Sequence, residues 1–205
     1  MRKTEIILIG VLCFSAVFIL NGFTKISSTL LLISSSLLAI LYFAFGFLLI
    51  NNKHLYKIFS KSTYEDLNTL KIILSIFLGF VFSNIIIGIL FKLMLWPASE
   101  PMIMTSGLTI IVGLIVLVII QLVTHKILFV QNLRYFIWTV FFAIIYLMPY
   151  RTLIEARYLQ KYPDYSNAMS RYYENRTLEN QKLFEEENQK YHELKMSEFG
   201  ERGTR

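Results

Sequence analysis

Long apolar stretches separated by short polar breaks set the pattern of this 205-residue chain. No Asp or Glu occurs from Ile6 to Tyr64, from Leu67 to Ser99, or from Pro101 to Ile154. Runs of about 18 or more apolar residues are long enough to cross a bilayer as helices. In hydrocarbon a helix is favoured because it satisfies its backbone polar groups internally. The pattern predicts such helices at about residues 5–20, 29–50, 72–95 and 102–124. Asn21-Gly22 marks the first turn, a basic loop spans residues 51–71, and Pro97 and Pro101 break the chain after the third helix. The expected fold class is an all-α integral membrane protein with four to five hydrophobic helices and a charged helical tail.

The count depends on a fifth run, YFIWTVFFAIIYLMPY, at residues 135–150. Its 16 residues, between Arg134 and Arg151, would rise only about 24 Å against a hydrocarbon core of ~30 Å. Flanking arginines can snorkel and a bilayer can thin, so a helix there is expected and a crossing is allowed. Basic residues near span ends favour the cytoplasmic side. Counting as far as Arg171, with the N-terminus inside and four spans, twelve lysines and arginines fall inside and two, Lys25 and Lys92, outside. With five spans the count is eight against six. Charge therefore favours four spans and hydropathy favours five, while both counts place the N-terminus in the cytoplasm.

Charge also divides the chain. Residues 1–150 carry 10 Lys/Arg against 4 Asp/Glu, whereas residues 151–205 carry 10 of each. We expect a transmembrane helical domain over 1–150 followed by a soluble, charged helical tail over 151–205. The tail should be helical from Tyr165 to about Met196, after a break at Pro163-Asp164. Its apolar stripe of Ala168, Tyr172, Leu183, Phe184, Tyr191 and Leu194 is too sparse for a sustained heptad. The net charge of +6 comes from the edges of the apolar runs, so it gives no ground for a nucleic-acid partner. Within the membrane part, residues 1–50 and 72–124 share a plan of helix, lysine-bearing turn and helix, which suggests two similar hairpins.

Candidate chemistry is sparse. The lone Cys13 allows no internal disulfide. The first run continues past Ala16 to Leu20 without a small-x-small site, so we expect it to be retained as a helix. His54, His125 and His192 lack ligand spacing, and no phosphate loop, dinucleotide turn or nucleophile elbow is present. Catalytic, metal and cofactor sites are therefore all expected to be none. Proton-coupled transporters and ion-driven motors usually place an ionisable residue inside a span, and no run here holds an internal carboxylate. The helix-packing candidates are Ser75, Gly79 and Ser83, spaced four apart, with Asn84 and Gly88 beside them. Small residues at that spacing permit close helix approach, against either another helix of this chain or a partner.

The most crowded edge is Phe91 to Pro101, FKLMLWPASEP, where Lys92, Trp96 and Pro97 are the hairpin-tip candidates. Lysine at a span end ordinarily snorkels, and tryptophan marks the interface. The sequence from Gly88 to Ser99, followed by Thr105-Ser106-Gly107-Leu108, resembles the membrane hairpin of GldL, the gliding-motility inner-membrane motor protein of Bacteroidota. The resemblance covers about residues 84–113. It implies a bacterial inner-membrane hairpin of that type. Leu95 stands where that family has His, Ala98 where it has Gly, and the stretch from Thr109 to Val112 lacks the family's carboxylate. Motor activity is therefore not implied.

These observations lead us to expect a non-enzymatic, multi-pass inner-membrane protein, a scaffold or accessory subunit of a membrane complex. Its partners would be the lipid bilayer and a second copy or another membrane protein. The alternative is a transporter or ion-conducting subunit with Asn84, Gln121 and the hydroxyls of the second helix lining a path.

Overall fold

The computed structural model of the chain describes residues 2–22, 24–51, 53, 69–124 and 129–202. The basic loop of residues 51–71 falls largely outside them, as do His54, His125 and Lys126. The described elements are helical: α1 (Arg2–Leu20), α2 (Thr24–Ile50), α3 (Thr69–Met94), α4 (Ser99–Thr124), α5 (Phe129–Leu147), α6 (Tyr150–Ile154), α7 (Pro163–Glu174) and α8 (Leu178–Arg202), with a π-helical turn at Glu155–Leu159. Four of these helices, α1 to α4, are long and apolar enough to cross a membrane. The number becomes five if the pair Asn132–Leu147 and Tyr150–Leu159 is one broken span. The chain divides into two compact units, one of Met1–Ala16 with Lys25–Leu147, the other of Val17–Thr24 with Met148–Arg205.

In the first unit α3 is the hub. It buries side chains around most of its circumference, from Ser75 and Leu78 through Val81, Phe82, Ile85 and Ile86 to Ile89 and Leu93. A helix that is apolar all round is suited to an interior position. It packs against α4 and α5, and glycine lets it cross α2 at close range. A Cβ added to Gly79 would lie 2.6 Å from the Tyr42 carbonyl oxygen and 2.9 Å from the Gly46 Cα. The α4 contact is equally tight, since a Cβ on Gly88 would lie 2.8 Å from the Ser106 Cβ. Without a hydrophobic drive between helices in lipid, such approaches and the hydrogen bonds beside them hold the bundle.

Helix α5 differs from its sequence expectation. It begins at Phe129 rather than near residue 135 and ends at Leu147 rather than 150. Pro149 ends it, because proline lacks an amide hydrogen and steers the preceding residue out of helical geometry. At the other end Asn132 and Arg134 lie within the helix, where each has a partner. The α3–α4 turn is tight and locally strained. Leu95 and Ala98 have φ of 54° and 63°, in the left-handed region that non-glycine residues disfavour.

The second unit is a helical hairpin with an aromatic core, where the sequence suggested one solvated helix. Residues 175–177 interrupt the expected run. Pro163 takes the first-turn position of α7, and the Thr177 hydroxyl accepts from the Asn180 amide at the start of α8. The turn lets α7 and α8 face each other. Tyr165 stacks on Tyr191 at 4.5 Å between centroids and Tyr172 on Phe184 at 5.3 Å. Tyr158, from the π-helical turn, meets Tyr165 edge-on at 5.1 Å. Burial pushes the Tyr165 phenol above its ordinary pKa, which keeps the stack uncharged. Leu194 does not join this core and is exposed.

Two outcomes are expected. Gly79→Ala lowers stability by about 1–3 kcal/mol, whereas Gly10→Ala, which would meet nothing within 4 Å, stays within ~0.5 kcal/mol. Thermal unfolding in detergent compares them. Ala98→Gly relieves the left-handed turn and raises stability by roughly 0.5–1 kcal/mol in the same assay.

Candidate functional site

The strongest concentration of buried polar chemistry joins α1, α2 and α5. Glu5, in the first turn of α1, is 3% exposed. The Arg134 guanidinium grips it at both oxygens, with Nε 2.9 Å from Oε1 and Nη2 3.0 Å from Oε2. The Tyr42 hydroxyl also donates to Oε1. The Trp138 indole donates in turn to the Tyr42 hydroxyl at 3.2 Å. Trp138 lies one turn after Arg134 on α5, so both point to the same neighbours. Tyr42 sits edge-on to Trp138 and tilted on Phe82 of α3, with centroids 6.2 and 5.1 Å away.

This arrangement is chemically saturated. A planar guanidinium matches a carboxylate bidentately, the phenol donates to the same carboxylate, and the indole donates to the phenol oxygen. A charge buried in an apolar bundle costs several kcal/mol unless such partners are in place. The ion pair is therefore stable as a closed set and costly as a half set. Sequence reasoning placed Glu5 and Arg134 at the edges of separate runs and missed the pairing. The available signal was connectivity. In an up-and-down bundle the starts of the first and fifth helices lie at the same end.

The sequence-predicted residues fall elsewhere. Ser75, Gly79, Ser83 and Gly88 are buried on α3, and Asn84 is half-buried. They are divided between neighbours. Gly79 faces Gly46 and the Tyr42 carbonyl on α2, while Gly88 faces Ser106 on α4. Asn84 Nδ2 donates to the Thr109 hydroxyl at 3.2 Å, and the Ser106 hydroxyl donates to the Asn84 carbonyl at 2.8 Å. Gln121 Nε2 donates to Asn132 Oδ1 at 2.7 Å, joining α4 to α5.

At the hairpin tip, Lys92 does not snorkel. It is 3% exposed and donates from Nζ to the Tyr146 carbonyl at 2.6 Å, with the ammonium 5.7 Å from the Tyr146 ring centre. Tyr146 lies one residue before the end of α5, where carbonyls lose their helical partners and a positive charge complements the helix dipole. Lys92 thus caps α5. Trp96 packs edge-on against Phe91 at 5.1 Å, and Pro97 is exposed in the turn.

Among the described residues, no three His, Cys, Asp or Glu side chains gather as a metal-binding group. In the second unit an open cleft of about 250 Å³ is lined by Asp164, Asn167, Ala168, Arg171, Leu183 and Glu187. Its charges are mixed, and Glu187 is held by Lys190 at 2.6 Å. No protein-family model, curated protein or solved structure matches the chain.

The ion pair leads to a mutational expectation. Glu5→Gln or Arg134→Met alone strands a buried polar group and costs about 3–5 kcal/mol, while the double variant recovers much of that loss. A double-mutant cycle on detergent unfolding measures the coupling, and additive single losses would show that the contact is not coupled.

Proposed function

We propose that this chain is a non-enzymatic, multi-pass protein of a bacterial inner membrane, serving as a scaffold or accessory subunit of a membrane complex. The observation that carries the reading is the saturation of the Glu5–Arg134–Tyr42–Trp138 set. Its charges and donors are turned on one another across α1, α2 and α5, so they act as a fastener. The close glycine contacts and the Asn84–Thr109 bond likewise tie helices to helices. Outside the apolar helices, α7 and α8 present a strongly charged exterior over an aromatic core, a form suited to docking. The cytoplasmic placement of the N-terminus rests on the basic residues from Arg2 to Lys71. The GldL-like tip supports the inner-membrane assignment as architecture and carries no motor role, because the acid of that family's second helix is missing.

A second reading, a transporter or ion-conducting subunit, is favoured by one observation. Glu5 is a buried carboxylate in the first candidate span, and intramembrane carboxylates are functional by default. In that reading release of Glu5 from Arg134 would be the coupled step.

Mild-detergent purification from a native membrane, with cross-linking and mass spectrometry, tests the first reading. A retained membrane-protein partner or a stable homo-oligomer is expected, and a strictly monomeric chain without a partner overturns it. Ion flux into liposomes carrying the pure chain, abolished in a folded Glu5→Gln variant, would transfer the assignment to the second.

A further inference from the structure

We infer that α5 is a fifth full crossing, so that the chain after Leu147 stands on the side of the membrane opposite the N-terminus. Three contacts in the first unit fix the ends of α5. Near its start, Arg134 binds Glu5 in the first turn of α1, and its Nη1 lies 3.5 Å from the Leu49 carbonyl at the end of α2. Both partners mark the N-terminal end of the bundle, because α1 leaves that end and α2 returns to it. Near its finish, Tyr146 receives the Lys92 ammonium at 2.6 Å, and Lys92 belongs to the last turn of α3, beside the α3–α4 tip. That tip is one crossing away from where α3 starts.

Between those ends α5 stays against its neighbours. Tyr135, next to Arg134, donates to the Ile110 carbonyl in α4 and stands 6.1 Å, centre to centre, from Phe82 in α3. Seven residues on, the Phe142 ring lies 3.7 Å from where a Cβ on Gly107 of α4 would be. The helix therefore runs alongside its neighbours rather than folding back. Its 19 residues rise about 28 Å, close to the ~30 Å core, whereas the 16-residue apolar run alone falls short. The added length includes Asn132 and Arg134, which tolerate depth because Gln121 and Glu5 satisfy them.

The second unit supplies an independent observation. It contains both the α1–α2 turn and the chain after α5. A Cβ on Gly22, in that turn, would lie 3.6 Å from the Ala156 carbonyl. Helix α1 runs unbroken from Arg2 to Leu20, so this turn follows its finish, and the chain after α5 meets the turn within the same unit. The basic residues that argued for a tail inside are partly engaged there. Arg151 is paired with Glu155 at 2.7 Å and lies 3.7 Å from Glu174. With the N-terminus in the cytoplasm, the α7–α8 hairpin faces the extracytoplasmic compartment, and a soluble partner of that hairpin belongs there.

Single-cysteine labelling tests this on the full chain. Cys13→Ser removes the native thiol, and Lys3→Cys and Gln189→Cys place one reporter at each exposed end. Each variant is treated with a membrane-impermeant maleimide in right-side-out and in inverted vesicles. The expected result is opposite labelling, with one reporter reacting in each vesicle type by at least about tenfold over the other. Labelling of both reporters in the same vesicle type, or mixed labelling of either, overturns the fifth crossing. A permeabilised control in which both thiols react fully keeps a buried reporter from passing as a protected one.

Discussion

The charge on Glu5 is the constraint around which the membrane unit is arranged. A carboxylate inside an apolar bundle is tolerated only when its oxygens are filled, and here two helices, α2 and α5, fill them for a residue of α1. Arg134 supplies the fork from α5, and Tyr42 supplies a hydroxyl from α2 that Trp138 holds in place. The group is cooperative because each partner would itself be stranded without the others. It defines which ends of α1, α2 and α5 lie together. Hydrophobic matching alone leaves that choice weakly determined in lipid, where apolar helix faces are nearly interchangeable.

Close approach does the remaining work. α3 meets α2 through Gly79 and Gly46 and meets α4 through Gly88 and Ser106, so its backbone reaches two neighbours at different heights. Asn84 and Thr109 add a polar contact on the α4 side. At the opposite end from Glu5, Lys92 closes α5 by taking the Tyr146 carbonyl that a continuing helix would have used. One helix is thus held at its start by an ion pair and at its finish by a lysine cap. The strained Leu95–Ala98 turn positions that cap, since Lys92 lies three residues before its first left-handed residue.

The C-terminal unit follows a different logic. It is built in a region where charge is balanced and aliphatic residues are few, and its core is mostly tyrosine. Aromatic rings bury large areas with few rotatable bonds, which compensates for the lack of leucine and isoleucine. The break at residues 175–177 is what makes that core possible. An uninterrupted helix would spread the same rings along one thin stripe, whereas the turn brings Tyr165 onto Tyr191 and Tyr172 onto Phe184.

By itself the sequence determined the helical class and the approximate places of four to five apolar helices. These are properties of composition over windows of about 20 residues, and a bilayer reads them locally. It also marked Gly79, Gly88, Asn84 and Lys92 as unusual, because small and polar residues stand out in an apolar run. Only the tertiary structure decided what each one meets. Glu5 and Arg134 are 129 residues apart, and nothing local distinguishes a paired charge from one anchored at an interface. The same holds for Lys92, whose partner is a backbone carbonyl and leaves no trace in the side-chain pattern. The reach of α5 was obscured for that reason as well, since its polar first turns look like the outside of a membrane until their partners are known.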